Sequence, residues 1–262
     1  MSPVATRLPV CGQDVILLAP TGADELAIQD ARTSATAIGV MALRRLARTE
    51  AGEALDIAAL AVTDFEHLLL TLRQAMIGTS LRSDFPCSSC GERVETSFSV
   101  ADYLARIRVR RPRDVEAHAR PGWYRLEGAV FRLPTVADQT LAQSQADGGT
   151  LLAERCLDPA QPPKSIRLRI ERAMAAMAPE LSRTLVGRCP ACGQAVRALF
   201  HVPSFVLGEL RRAATAVMEE IHLIAGAYHW TEDAILALPS PRRRSYAERI
   251  RAERLDAASL EF

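Results

Sequence analysis

Four of the six cysteines stand in two short pairs with the spacing of a metal or redox site. They read Cys87-Ser88-Ser89-Cys90-Gly91 and Cys189-Pro190-Ala191-Cys192-Gly193, with 98 residues between Cys90 and Cys189. Thiolates are soft ligands, and two C-x-x-C knuckles supply the four donors of a closed tetrahedral zinc site. The expectation is one structural Zn2+ held by Cys87, Cys90, Cys189 and Cys192. Four cysteines leave no open coordination position, which disfavours a catalytic zinc. The rival is thiol redox or disulfide chemistry, since Cys189-Pro190-Ala191-Cys192 has the form of a thioredoxin-like motif. Such a motif should open a helix whose N-terminus lowers the thiol pKa. Here a glycine and an alternating, strand-like run follow instead.

The flanks of the two knuckles match. Val94 and Val196, Phe98 and Phe200, and Val100 and Val202 each lie at the same offset from the second cysteine of their pair. Apolar residues at period two predict a strand with one buried face. Glycine after the second cysteine suits a turn that lets backbone N–H groups face sulfur. Each unit therefore reads as strand, knuckle and return strand: two copies of one hairpin, each supplying half a site. The predicted fold class is α+β, with helices packed around this duplicated zinc-knuckle unit, a split zinc ribbon, and an α/β segment inserted between its halves.

The rest of the chain must position these hairpins. With 48% hydrophobic and 24% charged residues over 262, the composition is that of a globular protein with a sizeable core. A net charge of +1 provides no global field to attract nucleic acid or membrane. Lys164 is the only lysine among 32 basic residues, a bias read as base composition rather than function. Cysteine usage suits a reducing cytosol. Met1 to Pro20 lacks the pattern of a signal peptide, and no apolar run reaches membrane-spanning length. Cys11 and Cys156 are expected to be buried small hydrophobes.

Five segments follow. Residues 1–60 form a strand and helix segment, with a strand pair around Cys11-Gly12 and a helix near Ala35 to Arg48. Residues 61–105 hold a helix and the first hairpin. There Thr63-Asp64-Phe65-Glu66 reads as a capping box, Phe65, Leu68, Leu69, Leu72 and Met76 as one apolar face, His67 as solvated, and Gly78 as the stop. Residues 106–164 are the insertion. Arg106 to Arg113 reads as an exposed edge strand ended by Pro112. Trp123 to Leu126 and Ala129 to Leu133 read as a hairpin turning at Glu127-Gly128, with two short helices after it. Residues 165–230 carry an amphipathic helix through Ile166, Ile170 and Met177, the second hairpin, and one long helix from Ser204 to Tyr228. Residues 231–262 are a helical tail with Ser240 as cap and Pro241 at the first helical position. Arg242, Arg243 and Arg244 there oppose the helix dipole, which points to an acidic partner or nearby carboxylates. No nucleophile elbow, dinucleotide fingerprint or Cys/His catalytic pair is visible, so no enzyme activity is expected.

The order of features carries a resemblance. A helix from Asp64 to Met76 leads into Cys87-Ser88-Ser89-Cys90-Gly91-Glu92. Tyr124-Arg125-Leu126 and Phe131-Arg132-Leu133-Pro134-Thr135 follow, then Arg155-Cys156, then Cys189-Pro190-Ala191-Cys192-Gly193 and Phe200. The chain closes on Ile221-His222-Leu223-Ile224-Ala225, Tyr228-His229-Trp230-Thr231-Glu232, Ile235-Leu236-Ala237-Leu238 and Pro241-Arg242-Arg243-Arg244-Ser245-Tyr246. This resembles the baseplate protein family of T-even-type contractile-tail phages, also called baseplate hub assembly chaperones, with relatives in bacterial phage-tail-like contractile injection systems. The resemblance covers about Arg7 to Ile250. It implies a non-enzymatic hub component or hub assembly chaperone in the cytoplasm of a bacterial host, or in the assembled particle. Its partners would be hub, spike or tube proteins, with no membrane, no small-molecule substrate and nucleic acid disfavoured. The cysteines are the positions that carry over.

A second reading is a nucleic-acid-binding zinc ribbon, with Arg106 to Arg113 and Arg242 to Arg244 meeting phosphates. The near-zero net charge counts against it.

Overall fold

The computed structural model describes residues 3–259, with side chains described up to residue 256. It is a mixed α+β fold. The strands β1 (Val4–Arg7), β2 (Asp14–Leu17) and β3 (Ala47–Thr49) form an antiparallel sheet. Helices α1 (Gly22–Asp30) and α2 (Ala35–Leu46) lie between β2 and β3 in the chain. Thr21 and Asp24 close a capping box at the start of α1, and Ser34 caps α2, so side chains satisfy N–H groups the helices leave open.

Helix α3 (Val62–Ile77) runs through the largest core and positions both hairpins. Phe65, Leu68, Leu69, Leu70 and Leu72 are all buried, so the helix is covered on more than one face. Gly39 of α2 permits the contact: a Cβ there would lie 3.0 Å from the Phe65 ring and 3.2 Å from Leu69. Four polar residues of α3, Thr63, Asp64, Glu66 and Arg73, are buried too, and each finds partners, as buried charge requires. Asp64 accepts from the N–H groups of Val10 (2.8 Å) and Cys11 (3.0 Å). Glu66 accepts from the Ser182 N–H (3.0 Å) and hydroxyl. Arg73 donates to Glu209 at 2.7 and 3.1 Å and to the carbonyls of Gly78 and Ser80. Ser80 and Ser182 are equivalent positions at the roots of the two hairpins, each seven residues before its first cysteine. One helix thus clamps both roots.

The first hairpin pairs β4 (Ser80–Pro86) with β5 (Arg93–Ser99), the second β10 (Arg183–Arg188) with β11 (Ala195–Phe200). Each return strand runs into a helix, α4 (Val100–Ala105) or α8 (Val202–Ala214), that begins on a fully buried valine. Ser99 and His201, again at equivalent offsets, provide the N-caps. Phe98, Tyr103 and Phe200 join the hairpins at the root, with ring centroids 5.4 to 5.7 Å apart. The Tyr103 hydroxyl donates to the Leu181 carbonyl and accepts from Arg183 Nε at 3.0 Å.

The segment between the hairpins builds its own core. Strands β6 (Glu116–Ala117), β7 (Trp123–Leu126), β8 (Ala129–Arg132) and β9 (Leu157–Asp158) form an antiparallel sheet. Helices α5 (Val136–Gln143) and α6 (Gly148–Cys156) connect β8 to β9, and α7 (Lys164–Met177) brings Ile170, Ala173 and Met177 to the cluster around Phe131 and Leu126. The Glu127-Gly128 turn has both residues at positive φ (48° and 80°), as a two-residue hairpin loop requires. Buried Asp138 accepts from Arg132 and Arg155, which outweighs its desolvation and keeps its carboxyl well below the usual range. A third cluster joins α9 (Val217–Tyr228), α10 (Glu232–Leu236) and α11 (Ser240–Ser259). No helix among the described residues is long and apolar enough to cross a membrane.

Several local expectations fail for tertiary reasons. The capping box is absent: α3 starts at Val62, Thr63 donates to the Pro179 carbonyl (3.0 Å), and Glu66 holds Ser182. His67 is half-buried and bonded to Thr6 Oγ1 at 2.9 Å, and burial lowers its pKa. Arg106 to Arg113 forms no strand; after α4 the chain is irregular, with the Arg110 N–H bonded to the Ala176 carbonyl at the end of α7. The long helix breaks between Ala214 and Val217, because Val206 and Leu210 face the large core while Val217, Ile221 and Ile224 face the C-terminal one. Ser240 does not cap with its side chain; its N–H and hydroxyl both donate to the Pro20 carbonyl at 3.0 Å. Of the two explanations for Arg242 to Arg244, nearby carboxylates hold: Arg243 is fully buried between Glu25 and Glu220, and Arg244 also reaches Glu25.

Candidate metal centre

The knuckles close by the same hydrogen bonds. The Cys87 N–H donates to the Glu92 carbonyl (2.8 Å) and the Gly91 N–H to the Cys87 carbonyl (2.9 Å). In the second hairpin Cys189 donates to Gln194 and Gly193 to Cys189, both at 2.9 Å. Gly91 and Gly193 take φ of 77° and 72°, where a side chain is strained, although a Cβ at either would meet nothing within 4 Å. The requirement for glycine is thus conformational, not steric.

Folding brings the four sulfurs together at the hairpin tips. All lie within 4.8 Å of one another and could hold a metal ion. Sulfurs of opposite knuckles approach closely, Cys87 to Cys192 at 3.8 Å and Cys90 to Cys189 at 3.7 Å. Cys87 and Cys189 are buried, Cys90 and Cys192 exposed, and all are free thiols. Val94 and Val196 pack beside them, with Phe85 against the cluster.

Electrostatics favours a cation in the cluster. The N–H groups of Ser89 and Cys90 hold Cys87 down to about 6. For Cys90 the Glu92 N–H acts in the same direction, but the sulfurs of Cys192, Cys189 and Cys87 outweigh it and push the thiol up to about 12. Neighbouring thiols that share one small volume cannot all ionise unless a positive charge compensates them.

The sequence singled out all four of these cysteines, and the fold unites them. The Cys189 knuckle runs into a strand, so the helix N-terminus that activates a redox thiol is missing. Cys156 is buried, and burial pushes its thiol up to about 11. Cys11 departs from expectation: it is exposed, on the turn that Asp64 holds. Glu66, Arg73 and Tyr103, which fix the hairpin roots, were not recognised as a set, because their partners are distant in sequence. Their one shared local signal is a polar group on a helix rich in apolar residues.

No protein-family model matches this chain, and no curated protein or solved structure matches it.

Proposed function

We propose that this chain is a zinc-stapled, non-enzymatic scaffold, a baseplate hub component or hub assembly chaperone of a phage-tail-like contractile injection system. The observation that carries the scaffold reading is the convergence of four thiols from two duplicated hairpins. Zn–S bonds of about 2.3 Å in a tetrahedron place sulfurs about 3.8 Å apart, and all-cysteine tetrahedral sites are typical of structural zinc. The close sulfur pairs, at 3.7 and 3.8 Å, have this spacing. Zinc would tie the tips of the split ribbon as the aromatic cluster ties its roots. Cys87, Cys90, Cys189 and Cys192 would hold it, with no position left for substrate.

The contractile-tail assignment rests on the order of motifs from Arg7 to Ile250 and on the C-terminal segment. Hub, spike or tube proteins would be the partners, met in the cytoplasm of the bacterial host. Tagging the protein in that host and probing both sheathed particles and lysate tests this reading. Signal in particles makes it a structural subunit. Signal only in lysate, with hub or spike proteins, makes it an assembly chaperone. Association with tail proteins in neither fraction overturns the assignment.

The nucleic-acid reading keeps one of its two arginine runs. Arg106, Arg108, Arg110, Arg111 and Arg113 are exposed, whereas Arg243 is buried among carboxylates. Salt-sensitive binding to DNA or RNA, lost when those five are replaced by glutamine, would favour it.

A further inference from the structure

The duplication provides an internal control for what each hairpin surface is for. Both hairpins bury valine at the tip and turn phenylalanine into the aromatic cluster at the root, so the residues on the outer face are not what the fold selects. In the first hairpin that face carries Arg82, Asp84, Arg93, Glu95 and Ser97; the equivalent positions of the second are Thr184, Val186, Ala195, Arg197 and Leu199. Val186 stands where the first copy has Asp84, and Leu199 where it has Ser97. Leu199 is 76% and Val186 69% exposed, diagonal neighbours on one face, with Thr184 across from Leu199 and Arg197 across from Val186. Exposed apolar neighbours of this kind mark interaction sites.

Leu199 also opens onto a groove of about 520 Å³ between the start of α3 and helices α5 to α7, lined by Leu152, Met174, Glu66, Glu171 and Glu180 among others. Glu171 shares an exposed pair with Arg167. The charge along this surface has a direction: Arg188 lies at the knuckle end and Arg197 across from Val186, while the exposed Glu171 and Glu180 lie at the groove. A six-residue strand spans about 20 Å, close to four turns of helix.

We infer that this face docks an amphipathic helix of a different protein, its apolar stripe on Val186 and Leu199, its basic end over the groove and its acidic end toward the knuckle. The charge direction and the apolar pair select this occupant. The inference does not depend on the contractile-tail assignment, and particle fractionation can fail while it holds.

The probe is a fluorescein-labelled synthetic helix with a leucine stripe, arginines in one half and glutamates in the other. Its controls are a peptide of the same composition with the charges intermixed and one with serine replacing the stripe. Binding is read by anisotropy against the full-length, metal-loaded protein. The directional peptide should bind saturably and more tightly than either control. V186D/L199S, which installs the first hairpin's residues, should weaken it tenfold or more, and E171Q/E180Q severalfold, with metal content and melting unchanged. If V186D/L199S melts early, Leu199→Gln alone replaces it. Equal binding by the variants, equal binding of the intermixed peptide, or no saturable binding overturns the inference. So does concentration-dependent dimerisation abolished by V186D/L199S, which would make a second copy the occupant.

Discussion

The two knuckle hairpins share their buried positions and differ on their solvent faces. At the tips, Cys87 with Val94 matches Cys189 with Val196; at the roots, Phe98 matches Phe200. On the outside, the first hairpin pairs Arg93 with Asp84, while the second exposes Val186 and Leu199. What folding demands of the two hairpins is alike, and what it leaves free differs. The burial of the roots also differs: Phe200 is 4% exposed and meets Phe205 as well, whereas Phe98 is only partly buried.

The largest expected effect concerns the shared tip. Structural zinc in small modules contributes on the order of 10 kcal/mol of apparent binding free energy. Cys90→Ser or Cys192→Ser should therefore abolish metal loading and remove hydrogen-exchange protection from both hairpins at once. Loss confined to the mutated hairpin would show that the copies are independently stable. Acid should do the same reversibly. The ligand is the thiolate, and Cys87 is held down to about 6, so metal affinity should fall more steeply once the pH drops below that value, where one more proton competes. A titration of metal release against pH checks the slope.

Root truncation comes next. Phe200→Ala should cost about 3–5 kcal/mol in denaturant melts, the range for a buried aromatic. Phe98→Ala should cost less, and equal losses would erase the asymmetry seen in burial. Gly91→Ala and Gly193→Ala should cost about 1–2 kcal/mol each, because each forces a side chain into the left-handed region. Matching values would sharpen the duplication, and a large difference would break it. Smallest is Arg93→Ala, which removes an exposed ion pair and should change stability by less than about 1 kcal/mol.

Local pattern accounts for much of this. The cysteine spacing, the period-two strands, the glycine after each knuckle, the Glu127-Gly128 turn and the helix stop at Gly78 were legible because each reports backbone geometry within a few residues. The misreadings have a common cause. Thr63 and Glu66 have the spacing of a cap, yet both bond to residues 116 positions away. Arg106 to Arg113 alternates like a strand but has no strand beside it. The apolar repeat from Val206 to Tyr228 is continuous, while the helix breaks to serve two cores.

The sequence by itself determined the two hairpins, their turns and the identity of the four cysteines that could hold a metal ion, since those features depend on φ preferences and side-chain periodicity over short spans. Only the tertiary structure decided that the tips meet, that α3 clamps both roots through Glu66 and Arg73, that Arg243 is buried among carboxylates, and that Val186 and Leu199 face solvent. Each of these depends on which distant group satisfies a charge or covers an apolar side chain, and local spacing does not encode that.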